Sequence, residues 1–222
     1  MQGIILAAGR GERMMPYTAN TPKPMLIINN KPIIQYNIDI LSSFVNKIYI
    51  VVGYLGNQII EYFGCSYNNC SIKYIKQKEL LGTADGLWLC RNNINDKFIV
   101  MMGDDIYSKK DVDECIKHRY SALAYEMEGD RFGGYEVDQY NYMIRIIKPP
   151  KGENYLASTA LYVLDKRIFN YSPKQIDGGE YGLPQTVEKM SQDVKIKVVK
   201  ATSWFPVGYP EDIKNVEYQF RE

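Results

Sequence analysis

Gly3-Ile4-Ile5-Leu6-Ala7-Ala8-Gly9-Arg10-Gly11-Glu12-Arg13-Met14 is the stretch on which the fold turns. Gly3 to Ala8 has the length and apolar character of a buried strand. It passes directly into Gly9-Arg10-Gly11, and Gly9 to Asn20 reads as a loop. Glycines at these two positions let the backbone approach a ligand closely and present N–H groups to phosphate oxygens. Ala7 and Ala8 keep side-chain bulk away from the same surface. Arg13 adds a planar cationic fork suited to phosphate. Pro22-Lys23-Pro24 holds Lys23 on stiff backbone, so its ammonium is presented in a narrow range of directions. A lone Gly-x-Gly is equally a plain turn. It is not a dinucleotide fingerprint, because Met14 stands where the third glycine belongs, and no Gly-Lys-Ser/Thr follows to make a Walker loop.

Outward from this loop the chain alternates. Pro32 opens a helix in which Ile34, Ile38, Leu41 and Val45 recur at helical spacing and face the core. Lys47 to Val52 is a β-branched strand ending at Gly53. Asn57 to Phe63 is a helix, Ile72 to Ile75 a strand, Thr83 to Arg91 a helix and Phe98 to Met102 a strand ending at Gly103. Apolar strands alternating with helices predict an α/β protein whose mostly parallel sheet carries helices on both faces. Ligands of such sheets bind beyond the carboxyl ends of the strands, where both the glycine loop and Asp104-Asp105 fall.

The second half reads differently. Strands are expected at Ala122 to Met127, Gly134 to Val137, Met143 to Ile147, Thr159 to Leu164 and Val194 to Val199, with helices at Glu180 to Ser191 and Glu211 to Phe220. The sheet should therefore be mixed, within a single domain. About 1–110 would form its nucleotide-binding half and about 111–222 its acceptor-binding half. His118 reads as a structural residue on an exposed helix, and Trp88 as core.

The 27 basic and 26 acidic residues nearly balance, which argues against broad electrostatic binding to nucleic acid or an anionic membrane. Cys65, Cys70, Cys90 and Cys115 match no zinc spacing, and the single histidine offers little help, so reduced thiols are expected. No signal peptide and no apolar run of about 20 residues is visible, which predicts a cytoplasmic protein. Homo-oligomerisation is left open by the sequence.

Leu6 to Met25 resembles the signature of the sugar-phosphate nucleotidylyltransferases, L-A-A-G-x-G-x-R-M-x-P-x-T-x-x-x-P-K-P-M, at every fixed position. Gln77 with Leu81-Gly82-Thr83-Ala84-Asp85 is similar to that family's nucleobase segment. Met102-Gly103-Asp104-Asp105-Ile106-Tyr107 resembles its metal-binding strand end, and Arg131-Phe132-Gly133-Gly134-Tyr135 its block near the acceptor.

The resemblance implies a Rossmann-like, GT-A-like nucleotidyltransferase fold, close to the glucose-1-phosphate thymidylyl- and uridylyltransferases. Leu6, Ala7, Ala8, Gly9 and Gly11 would line the triphosphate. Arg13 would neutralise its charge and Lys23 would contact the reacting phosphates. Gln77 would pair with the base edge beside Gly82 and Thr83. Asp104 would hold Mg²⁺, a hard cation that suits few carboxylates and several waters. The nucleophile would be a phosphate monoester, already largely dianionic near neutrality, so no general base is needed.

The departures lie in the second half. Where the family has a second metal-binding Asp two residues after a Trp, Trp204 is followed by Phe205 and Pro206. Asp212 is a candidate replacement, although Pro210-Glu211-Asp212 reads more naturally as a helix start. The family's Glu-Lys-Pro segment aligns with Ile147-Lys148-Pro149-Pro150 and lacks the Glu. The family's Asn and Gly before a Tyr become Ser158 and Ala160 before Tyr162. Gly134, Lys148, Ser158 and Glu180 are the acceptor-binding candidates. Losing a sugar-binding carboxylate opens the pocket to a deoxysugar, an aminosugar or a non-sugar phosphate. A CTP-dependent cytidylyltransferase for phosphocholine or a similar phosphate is thus a competitor, and a non-catalytic nucleotide-binding protein is another. The short stretch after the last helix leaves no room for an appended β-helix, so no acetyltransferase activity is expected.

Overall fold

The structure, a computed structural model, describes residues 1–149 and 151–219. Pro150 of the altered segment and Phe220, at the expected end of the last helix, lie outside the described residues. Along the chain run β1 (Gln2–Ala7), α1 (Ile33–Ser42), β2 (Lys47–Val52), α2 (Gly56–Phe63), β3 (Cys70–Lys76), α3 (Thr83–Trp88) and β4 (Phe98–Met102). Then follow α4 (Lys109–Lys117), β5 (Ser121–Glu128), β6 (Gly134–Val137), β7 (Met143–Ile147), β8 (Asn154–Leu164), α5 (Leu183–Ser191), β9 (Lys197–Lys200) and α6 (Pro210–Gln219). Two compact units are built from this chain. The first takes residues 1–80 and 101–107 and the segment from Phe205 onward, and the second takes residues 81–100 and 108–204.

In the first unit β1 lies parallel to β2, from Gly3 opposite Ile48 to Ala7 opposite Val52. β2 in turn lies parallel to β3, from Lys47 opposite Ser71 to Val52 opposite Lys76. All of β1 is buried, as its unbroken apolar run requires. Ile34, Ile38 and Leu41 of α1 are fully buried, as expected from their spacing; Val45, expected on the same helix, is also buried but lies beyond its end at Ser42. Each such side chain contributes about 1.5–3 kcal/mol. Pro32 sits at the cap, one residue before the helix. A second apolar cluster of Met14, Leu26, Ile28, Ile33, Ile106, Val207 and Val216 anchors the loop after β1.

The second unit is built on antiparallel pairing. β8 runs against β5, against β6 and against Phe98 to Val100 of β4. β6 and β7 form a hairpin with Gly134 opposite Ile147, and β9 lies parallel to β5. The mixed α/β class expected from the sequence is therefore the observed one.

Differences from the sequence reading have local causes. The segment expected to be helical from Glu180 begins its helix only at Leu183, because Tyr181 and Gly182 pair with Lys174 and Gln175. β8 starts five residues before Thr159, its half-buried alternation being masked by Ser158 and Ala160. α3 stops at Trp88, which is only half-buried and packs edge-on against Phe169 with ring centroids 5.2 Å apart. His118 caps the end of α4, half-buried, and is not within the helix. All four cysteines are free, and burial pushes the Cys90 and Cys115 thiols up to about 12. No helix among the described residues is long and apolar enough to cross a membrane.

Asp165 of the second unit is a strongly perturbed carboxylate. Burial alone would raise its pKa, but donation from the Tyr120 hydroxyl, the Arg167 amide and the Arg167 and Arg119 guanidinium groups outweighs this and holds it at about 2. A carboxylate titrating near 3.9 when unfolded then adds stability on the order of 2 kcal/mol, fully present above pH 4 and lost as pH falls toward 2. Asp165→Asn should lower the melting temperature at pH 7 and reduce the further drop between pH 4 and pH 2. An acid limb as steep as that of the parent chain would assign the effect to other groups.

Candidate functional site

In the first unit the loop after β1 is shaped by Gly11. Its φ is +65°, and a Cβ there would stand 2.9 Å from the Lys23 Cβ and 3.1 Å from the Thr18 Cγ2. Only glycine meets both conditions without strain. The Gly11 carbonyl accepts from the Thr18 hydroxyl at 2.9 Å and from the Met14 amide at 2.9 Å, which closes the turn. Tyr54 holds the far side of the loop by donating its hydroxyl to the carbonyls of Thr18 and Ala19 at 3.1 and 3.0 Å.

Packing against Gly11 leads Lys23 inward. Its side chain is buried, and its ammonium forms an ion pair with Asp104 Oδ2. Asp104 follows Gly103, whose amide donates to the Leu6 carbonyl at 2.8 Å and whose missing side chain admits Ala7 to 2.9 Å of the ideal Cβ position. The end of β1 and Asp104 are thereby brought together. Asn37, fully buried on α1, fixes this segment from behind by donating to the carbonyls of Met102 at 2.9 Å and Asp105 at 2.8 Å. The Asp104 side chain is 34% exposed, so solvent, metal or phosphate can reach it.

Gln77 is buried and lines a pocket of about 200 Å³ with Arg10, Gly53, Tyr54, Lys76 and Lys78. Its amide donates to the Val52 carbonyl at 2.9 Å, which carries β3 beyond its last paired residue. Arg13 is exposed and lies against the Tyr209 ring, its guanidinium carbon 5.0 Å from the centroid. Asp212 lies in the first turn of α6, where its Oδ2 accepts backbone N–H from Gly208 and Tyr209.

In the second unit Gly82 and Thr83 are clamped to the strand before α5. The Tyr181 amide donates to the Leu81 carbonyl at 2.7 Å, and the Leu183 amide donates to the Thr83 hydroxyl at 3.0 Å. Glu180 is exposed, with its Cβ near Gly82. Gly134 and Ser158 are also brought together, because the Ser158 amide donates to the Gly133 carbonyl at 2.8 Å. The Ser158 hydroxyl joins those of Tyr135 and Tyr162 in a cluster of three, at 2.5 and 3.3 Å. Burial pushes Tyr162 up to about 12. Lys148 is exposed just beyond β7. Ala160 has φ +55°, inside the register shift that separates Ser158 from Tyr162. A left-handed alanine costs about 1–2 kcal/mol, so this backbone keeps the shape a glycine would hold freely.

Sequence reasoning missed Thr18, Asn37, Tyr54, Tyr135 and Tyr209. Asn37 carried a usable signal, an amide three residues after Ile34 on a stripe otherwise apolar. Thr18 and Tyr135 fall inside the motifs quoted above but had no role there, and Tyr54 and Tyr209 gain theirs only from contacts made in the fold.

This arrangement can receive a polyphosphate. Open backbone at Gly9, an ammonium at Lys23 and a hard carboxylate at Asp104 supply donors, positive charge and a metal ligand. A magnesium ion fits the donor set, since it commonly takes one or two carboxylates and completes its shell with phosphates and water. Among the described residues no group of three or more His, Cys, Asp or Glu could cage a metal alone.

A family model described as nucleotidyl transferase matches residues 2–222. The bifunctional protein GlmU of Methanocaldococcus jannaschii is 34% identical over 218 residues, covering 96% of this chain and 52% of that protein. The UTP–glucose-1-phosphate uridylyltransferase AglF of Haloferax volcanii is 28% identical over 236 residues, covering 100% and 97%. Among solved structures, a Bacillus anthracis protein described as a glucose-1-phosphate thymidylyltransferase, in complex with a sucrose, superposes with a TM-score of 0.88. It is 25% identical and covers 100% of this chain and 96% of that one. The chain spans about half the length of the GlmU relatives it matches.

Proposed function

The chain belongs to the nucleotidyl transferase family, and from that premise we propose that it is a cytoplasmic, magnesium-dependent nucleotidylyltransferase making a nucleoside diphosphate sugar. The acceptor is a sugar 1-phosphate. A phosphate oxygen attacks the α-phosphorus of a nucleoside triphosphate in line, the bond to the leaving oxygen breaks and pyrophosphate departs. The observation that carries this reading is the Lys23–Asp104 pair beside Gly11. Asp104 would hold the ion, which supplies neutralisation of charge on the phosphates when bound. Lys23, released toward the phosphates, stabilises the charge that builds on the leaving group. Arg13 and the loop backbone orient the phosphate chain, and Gln77 pairs with the base edge. Such transfer depends on positioning and electrostatics, which suits a chain with a single histidine.

A second reading is favoured by one feature. Ile147 or Lys148, depending on register, stands where a sugar-binding Glu is expected, and the Ser158 hydroxyl is drawn into the tyrosine cluster. That suits an acceptor with fewer hydroxyls, such as phosphocholine used with CTP.

Pyrophosphate release measured for ATP, CTP, GTP, UTP and dTTP against several sugar 1-phosphates and phosphocholine decides between them. A sugar 1-phosphate with one favoured triphosphate is the expected outcome. Turnover confined to CTP and phosphocholine would select the second reading. Nucleotide binding without pyrophosphate from any pair would leave a binding protein.

A further inference from the structure

α6 begins at a turn that lies within the first unit and contacts the loop after β1. Asp212 is buried, and its Oδ2 accepts the backbone N–H of Gly208 at 2.7 Å and of Tyr209 at 2.8 Å. A carboxylate in the first turn of the helix thus reaches back to two amides outside the helix's own bonding ladder. This fixes the backbone that carries Tyr209. The Tyr209 ring centroid lies 5.0 Å from the Arg13 guanidinium carbon, and its hydroxyl accepts from Arg13 Nη1 at 3.4 Å.

The two backbones are anchored together. Met14, next to Arg13, is buried in the same cluster as Val207 and Val216, which flank Tyr209. What remains to be ordered is the Arg13 side chain itself. A long exposed arginine loses much rotamer freedom when it grips an anion, and an aromatic face that already holds the guanidinium removes part of that loss. Pro206, standing where the family pattern has a metal-binding Asp, precedes this turn by two residues.

We propose that Tyr209, held in place by Asp212, is a positioning residue that presents Arg13 to the triphosphate, and that Asp212 acts through this turn and does not ligate the metal. The inference rests on the triphosphate part of the reading above, and it is independent of base and acceptor.

The test uses magnesium tripolyphosphate, which carries the phosphate chain without a base, with UTP in parallel. Binding is read by calorimetry after each variant's melting temperature has been recorded. Arg13→Ala should weaken binding about tenfold. Tyr209→Ala should weaken it about three- to fivefold, and the double variant should bind no worse than Arg13→Ala alone. Tyr209→Leu keeps bulk without a π face and should match Tyr209→Ala, which guards against a packing effect.

Asp212→Asn retains an oxygen for the two amides. It should leave the magnesium concentration for half-maximal binding unchanged within about twofold, because the turn persists. A rise of tenfold in that concentration would make Asp212 a metal ligand and overturn the proposal. Full additivity of Arg13→Ala with Tyr209→Ala, or no effect of Tyr209→Ala, would also overturn it. The predicted binding pattern without any pyrophosphate release would keep the positioning role and remove the transferase reading. Absence of tripolyphosphate and UTP binding by the parent chain would remove both.

Discussion

Lys23→Ala should lower the turnover of pyrophosphate release by about 10²- to 10³-fold, the range found when a preorganised electrostatic stabiliser is removed from a transferring group. The geometry gives the reason. The Lys23 side chain is buried, flanked by prolines and pressed against Gly11, so its ammonium has few places to go. It rests on Asp104, the carboxylate that would hold the metal. With Asp104 engaged in holding an ion, the ammonium would be left to neutralise charge on the leaving group.

Stability should change far less than turnover. The Asp104 carboxylate is a third exposed and can be rehydrated, so the lost pair itself is worth about 1 kcal/mol or less. Lys23→Met fills the space without the charge. It should restore the melting temperature and leave turnover as low as in Lys23→Ala. Near-normal turnover in either variant would take Lys23 out of the mechanism.

The legibility of this protein in its sequence follows the range of the interactions involved. β1, α1 and β2 are set by apolar periodicity within a few residues; β1 and β2 agree with the sequence to within a residue, while α1 ends at Ser42, three residues before Val45. The Gly9 to Lys23 loop was recognisable because its glycines and prolines constrain backbone directly. What could not be read is whatever depends on distant segments meeting. Asn37 secures the strand end at Met102 and Asp105 across more than 60 residues, and Tyr209 meets Arg13 across 196. The Tyr135–Ser158–Tyr162 cluster likewise forms only once β6 lies beside β8. The start of α5 was misread for a related reason. Tyr181 is drawn into pairing with Gln175 and into a bond with Leu81, and neither contact leaves a local pattern.

Gly11→Val should be the most damaging single change in the loop, and Gly9→Val provides the contrast that explains it. At Gly11 the backbone is left-handed, and a Cβ would press on Lys23 and Thr18. A β-branched residue there adds the left-handed penalty to overpacking, together about 2–4 kcal/mol. The strain would be relieved by moving Lys23 away from Asp104, so turnover should fall along with the melting temperature. At Gly9 a Cβ meets nothing within 4 Å. Gly9→Val should therefore melt within about a degree or two of the parent chain, as expected for an unstrained exposed change. Its side chain would instead occupy the space through which phosphate oxygens would approach the backbone on the proposed reading, so triphosphate affinity should fall about tenfold or more, corresponding to one lost charge-assisted hydrogen bond or a displaced phosphate. Calorimetric binding beside thermal melts separates the two effects. Unchanged triphosphate binding in Gly9→Val would show that the open face of the loop is not where phosphate sits, whatever the fate of Gly11→Val.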